Sequence, residues 1–103
     1  MLILPIKKKW FDMILSGEKK EEYREFKPYY ITRFRNVWGY PAYLEETHEV
    51  MFRNGYSKQS SSFVARCTLR VGYGNPMWGA EDRKKYYVLK IKEIVEEGDA
   101  DGR

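Results

Sequence analysis

At 103 residues the chain has room for one hydrophobic core and not for two. Hydrophobic residues make up 43% of it and aromatic residues 17%, which excludes a disordered chain and predicts an ordered fold. The formal charge of +4 and a pI of about 9.1 lean towards a polyanionic partner, RNA or a nucleotide, without singling one out.

Other classes fall away on counts alone. The lone Cys67 rules out an internal disulfide, and a single His leaves no zinc set, so neither a metal nor a cofactor is expected. "MLILPIKKKW" places its basic residues after a short apolar stretch, the reverse of a signal peptide. No apolar run approaches the roughly 20 residues of a membrane span. The expectation is a soluble monomer in the reducing cytoplasm, without a membrane partner.

Along the chain, Leu2, Leu4 and Ile6 alternate with Ile3 and Pro5 and predict a first strand, with Pro5 suited to an edge or a strand end. Trp10, Phe11, Ile14 and Leu15 then recur at helical spacing, and Gly17 stands where a helix ends, so 8–16 read as a short amphipathic helix. Lys7, Lys8 and Lys9 put three positive charges at its N-terminal end, against the macrodipole. They form either a solvated face or a place where anions are held.

"GEKKEEYREF" follows, with six charges in the seven positions from Lys19 to Glu25. As a helix it would set Glu18 against Glu22, Lys20 against Arg24 and Glu21 against Glu25, three repulsive pairs four apart. As a strand it has Lys20, Glu22, Arg24 and Phe26 on one face and Lys19, Glu21, Tyr23 and Glu25 on the other. Neither face is apolar. The stretch therefore predicts a strand lining a polar cleft.

Residues 28–47 read as irregular and ring-rich, with "PYYITRF" good for a helical turn or two behind Pro28. Most of these rings are expected in a satellite core. "HEVMFRNGYS" predicts a strand ending at an Asn54–Gly55 turn, and "KQSSS" a loop. Phe63, Ala65, Cys67, Leu69, Val71 and Tyr73 alternate with Arg66, Thr68 and Arg70, which predicts a half-buried strand with a basic outer face. Residues 86–95 repeat the pattern, with Tyr87, Leu89 and Ile91 inward and Lys90 and Lys92 outward. Between these strands "GYGNPMWGAED" must be a loop, whose Trp78 either offers a ring to a ligand or folds back as a lid. The sum is an α+β chain, a single domain over 1–97 with a frayed acidic tail over 98–103. About five strands form a small, partly open β-barrel with one or two short helices at its ends.

Gly17, Lys19, Glu22 and Arg24 also match the G-x-K-x-x-E-x-R signature of the ASCH domain family, directly after a helix ending in "ILSG". "GNPMWGA" over 74–80 resembles a second segment of small bacterial and phage-type members. The resemblance covers 2–34 and 63–95 best and is weak over 36–60. It implies a barrel similar to the PUA domain, and RNA or a modified nucleobase as ligand. Lys19, Glu22 and Arg24 would line the cleft, and Gly17 would allow the turn into the strand.

Two kinds of function fit these residues. In a binding module, Lys7, Lys19 and Arg24 attract phosphate, Trp78 stacks on a base, and Glu22 and Asn75 bond its edges. The basic faces of Arg66 and Arg70 and of Lys90 and Lys92 would track a nucleic-acid backbone. In a hydrolase acting on a modified nucleoside or RNA, Lys19 and Glu22 form an acid/base pair and Arg24 orients the substrate. The family's branch that hydrolyses N4-acetylcytidine has Thr where this chain has Glu22, which removes a nucleophilic hydroxyl. A third possibility is that Lys19, Glu22 and Arg24 form an ion network that closes the barrel and has no ligand.

Overall fold

The computed structural model describes residues 1–39 and 46–98. Tyr40, Pro41 and Tyr43 of the ring-rich stretch, and the tail from 99 onward, lie outside the described residues. The elements run β1 (Leu2–Ile6), α1 (Lys8–Leu15), β2 (Glu21–Arg24), α2 (Pro28–Trp38), β3 (His48–Asn54), β4 (Ser62–Tyr73), a 3-10 turn (Pro76–Trp78) and β5 (Lys85–Gly98). The strands form one sheet in the order β1-β3-β4-β5-β2. Only the β1–β3 pairing is parallel. The result is a small α+β fold whose sheet curls into a half-barrel with two short helices.

The curl has local causes. The long β4–β5 ladder shifts register between Val64 and Ala65 and again between Arg66 and Cys67. Such bulges bend a strand and increase its twist. They also explain why Val64 is buried alongside Phe63 and Ala65, although alternation alone would turn it outward. With the sheet curled, its two edge strands come within side-chain reach: Arg24 of β2 donates to the Pro5 carbonyl of β1 at 2.9 Å.

Leu4, Val50, Phe52, Phe63, Cys67 and Leu89 fill the interior of the curl. From α1 come Phe11 and Ile14, as the helical spacing predicts. The larger difference from the sequence reading lies in α2. This helix is eleven residues long, with Pro28 in its first turn, where a missing N–H costs nothing. Tyr30, Phe34 and Trp38, four apart, run down its inner face, and Phe34 and Trp38 belong to the main core. Arg33 and Arg35 interrupt that stripe in sequence without interrupting it in space. The Trp38 indole N–H is satisfied by the Glu46 carbonyl at 2.9 Å.

At the far end of β4 the predicted inward set stops early. Val71 and Tyr73 are 53% and 57% exposed because the strand outruns the core there. β5 has the opposite surprise: Tyr86 and Val88, on the face expected to be outer, are buried in a second small cluster with Ala80, against Tyr23. The 74–84 loop folds over that face and covers it. No helix among the described residues is long and apolar enough to cross a membrane.

Because Phe34 is 1% exposed within the main core, Phe34→Ala should cost about 3–5 kcal/mol of unfolding free energy in a urea titration. A loss under 1 kcal/mol would return α2 to the role of a satellite.

Candidate functional site

The predicted strand at 19–25 exists, but it starts at Glu21, and that offset builds the site. α1 ends at Leu15, and Gly17 turns the chain at a φ of 85°, a left-handed conformation that residues with a Cβ rarely adopt. The Lys19 N–H then donates to the Met13 carbonyl at 2.9 Å, which folds this turn back on the helix. Alternation along a strand would place Lys19 on the opposite face from Glu22. Held in the turn instead, its ammonium reaches Glu22 Oε1 at 3.3 Å.

Glu22 and Arg24 share the inward face of β2, and both are buried. Arg24 donates from Nε and Nη2 to Glu22 Oε2 at 3.0 and 2.7 Å, from Nη1 to the Tyr30 hydroxyl at 3.1 Å, and from Nη2 to the Pro5 carbonyl. Burial opposes the Arg24 charge, and the Glu22 carboxylate with Tyr30 more than offsets it, so its pKa is raised. Lys19 lies deeper, and its side chain has no exposed surface. Its ammonium donates to the Trp78 carbonyl at 2.5 Å and sits 4.7 and 4.9 Å from the ring centres of Trp10 and Tyr23. Burial lowers its pKa, and Glu22 opposes that shift.

The "GNPMWGA" segment supports this arrangement from the other side. Gly74 has no room for a side chain, since a Cβ there would stand 2.5 Å from the Tyr23 ring and 2.8 Å from Ala80. Asn75 Oδ1 accepts from the Met77 N–H and so caps the 3-10 turn, while the Asn75 N–H donates to the Tyr23 hydroxyl at 2.8 Å. That hydroxyl in turn donates to Glu21 Oε1 at 2.8 Å, and burial pushes its pKa up. Gly79 packs against the Trp10 ring. The segment thus supplies a carbonyl to Lys19 and walls to two rings.

Above the ion network opens a cleft of about 560 Å³, lined by Lys7, Trp10, Glu22, Arg24, Tyr30 and Tyr56 among others. Its volume lies in the range of small-molecule sites. Of the three N-terminal lysines, Lys8 pairs with Asp12 at 2.6 Å and Lys9 lies over the Trp10 ring at 4.6 Å. The Lys7 side chain makes neither a hydrogen bond nor an ion pair among the described residues, and it is the one that lines the cleft. Glu25 stands at the rim. Its hydrogen bonds to Lys84 and Lys27 hold its carboxyl below the usual range, so its charge is already matched.

The sequence candidates therefore separate. Lys7, Glu22 and Arg24 line the cleft, with Lys19 behind them and Gly17 at the turn that places it. Asn75 and Trp78 brace the site from the 3-10 turn and are not part of the cleft wall. Arg66 and Arg70 lie outside it and are matched by acids, Arg66 by Glu49 and Glu93, Arg70 by Glu21. The four rings of the wall, Trp10, Tyr23, Tyr30 and Tyr56, escaped the sequence reading as site residues. Trp10 looked like a packing residue at helical spacing, Tyr30 like one ring of a satellite core, and Tyr56 follows a turn signal that marks only a reversal. Among the described residues no cluster of His, Cys, Asp and Glu could hold a metal ion. Compared with known proteins, the chain matches no family model, no curated protein and no solved structure.

In the network Glu22 is the lone anion between two cations. Glu22→Gln should therefore cost about 3–5 kcal/mol in urea unfolding, because two buried cations lose their partner. Lys19→Met should cost less, since Glu22 keeps Arg24. The pH dependence has a definite sign. Lys19 binds its proton less tightly folded than unfolded, so stability rises with pH only in the window between its lowered folded pKa and its unfolded value near 10.5, and is flat in this respect below that window. That slope should vanish in Lys19→Met.

Proposed function

We propose that this protein is a single-domain reader of RNA or of a modified nucleobase, held in the cleft between α1, β2, α2 and the β3–β4 turn. One observation carries the reading: an unpaired cation, Lys7, shares a cleft of about 560 Å³ with the rings of Trp10, Tyr30 and Tyr56 and the Glu22–Arg24 pair. Such a surface suits a flat, edge-polar, anionic ligand. Rings take the base face, a carboxylate accepts from an exocyclic amino group, and the ammonium meets a phosphate. The resemblance to the ASCH domain family, and through it to PUA-like RNA-binding barrels, points the same way.

A hydrolase built on Lys19 and Glu22 would need Lys19 to meet its substrate. Its side chain has no exposed surface, and its ammonium is engaged by the Trp78 carbonyl and by Glu22. This favours binding over turnover. Lys19 then acts as a positioning residue that fixes Glu22, and Trp78 contributes through its backbone.

A protein-detected NMR titration tests the proposal, first with single-stranded RNA hexamers and then with free nucleosides, N4-acetylcytidine among them. Shifts should gather on Lys7, Trp10, Tyr30 and Tyr56 with no product resonances. Tyr56→Ala should weaken binding by about 1–3 kcal/mol while moving stability by less than about 0.5 kcal/mol, since Tyr56 is 88% exposed. Lys7→Ala should lower the salt slope of log affinity by about 0.7, the value of one phosphate contact on a single strand. Product peaks would make the protein an enzyme, and unmoved resonances across all ligands would remove the reading.

A further inference from the structure

Beyond the Gly55–Tyr56 wall lies a second cleft of about 270 Å³, lined by Ile3, Pro5, Tyr29, Arg53, Gly55 and Tyr56. Pro5, Gly55 and Tyr56 belong to both clefts, so the two adjoin across one ridge. Tyr56 sits on that ridge, 88% exposed and free of any ring contact, hydrogen bond or ion pair among the described residues.

Arg53 is the informative residue. Every other arginine among the described residues has a partner: Arg24 has Glu22, Arg33 the Tyr29 carbonyl and ring, Arg66 and Arg70 their glutamates, Arg83 Asp82, and Arg35 is also engaged. The Arg53 side chain has no hydrogen bond, ion pair or ring contact among the described residues, and yet it is half-buried in the wall of the second cleft. A guanidinium held partly out of water and given no acceptor is arranged for one that arrives with a ligand.

Its placement relative to Lys7 follows from the sheet. Arg53 is the register partner of Pro5 on the adjacent parallel strand, and the Gly55 N–H donates to the Ile6 carbonyl at 3.0 Å. Lys7 lies two residues beyond Pro5, about two strand rises or roughly 7 Å further along. Two unpaired cations thus follow one another along a track that passes under an exposed ring, with Tyr29 at the far end beneath the Arg33 guanidinium.

We infer that the ligand is a single-stranded oligonucleotide rather than a free nucleoside, and that the Arg53–Tyr29 cleft is a second subsite. It takes the nucleotide adjacent to the one in the first cleft, with Arg53 on its phosphate and Tyr56 stacked on a base at the ridge. This rests on the reading of the first cleft as a nucleotide site. An acidic peptide would satisfy the two cations but would leave the exposed ring without a flat partner, so the nucleic acid is favoured.

The test is a binding series with homo-oligoribonucleotides of one, two, three and six residues, with hexaglutamate as the competing polyanion. Affinity should rise about tenfold or more from the mononucleotide to the di- or trinucleotide and then level off, the gain of roughly one further stacked base. Arg53→Ala should collapse the ratio of trinucleotide to mononucleotide affinity, and Arg53→Lys should restore part of it, with thermal melts confirming that both variants are folded. Lys7→Ala should weaken mono- and trinucleotide together. Equal affinity at every length, or an Arg53→Ala variant that keeps the ratio, would overturn the second subsite and leave the first standing. Hexaglutamate binding as tightly as the hexanucleotide would overturn the oligonucleotide assignment, and a failure of all lengths to bind would overturn both readings at once.

Discussion

Glu22 is the point at which the parts of this small domain meet. It pairs with Lys19 and Arg24, and each cation then reaches a different piece of the chain: Lys19 the Trp78 carbonyl, Arg24 the Pro5 carbonyl and the Tyr30 hydroxyl. One carboxylate therefore couples β2 to the edge strand β1, to α2 and to the 3-10 turn. Placing three ionised groups in a poor dielectric is expensive, and such sets are seldom a net source of stability against well-packed apolar residues. What they supply is geometry. Removing one member leaves a buried charge without a partner, so the arrangement tolerates few alternatives.

The same network gives the cleft its floor. The sheet does not close by strand pairing, since β1 and β2 are its two edges. A side-chain bridge from Arg24 to Pro5 spans the gap, leaving one side of Glu22 and Arg24 facing the opening. Closing a sheet with side chains in place of backbone bonds leaves a slot where a further strand would stand, and largely buried polar groups form its floor. The ion network as barrel closure and the ion network as ligand floor are thus compatible, because a closure made of charged groups is also a prepared polar surface.

Charge on the outer face of β4 is cancelled locally. Arg66 and Arg70, which alternate outward on β4, meet glutamates from β3, β5 and β2. A net charge of +4 therefore says less about binding than where the cations without partners stand. Lys7 and Arg53 are two of these, and both stand in cleft walls beside Tyr56. Exposed ion pairs contribute little to stability, but they do remove a surface from competition for a polyanion.

Local chemistry determined a good deal of this protein. The period-two alternation of Phe63, Ala65, Cys67 and Leu69, the helical spacing of Phe11 and Ile14, and the repulsion that forbids a helix through Glu22 are all properties of near neighbours, and all reappear in the structure. So does the presence of a polar cleft beside β2, because a strand with no apolar face has few other uses. The tertiary structure alone decided which charges were matched, since the glutamates that neutralise Arg66 and Arg70 come from other strands in a register that bulges set. It also decided that Lys19 joins Glu22, because β2 begins only at Glu21 and Lys19 stays in the preceding turn, where strand alternation does not set the direction of its side chain. The rings of the cleft wall were hidden for a related reason. Trp10, Tyr30 and Tyr56 come from three separate elements, and an aromatic residue looks the same in sequence whether its neighbours in space are core or solvent.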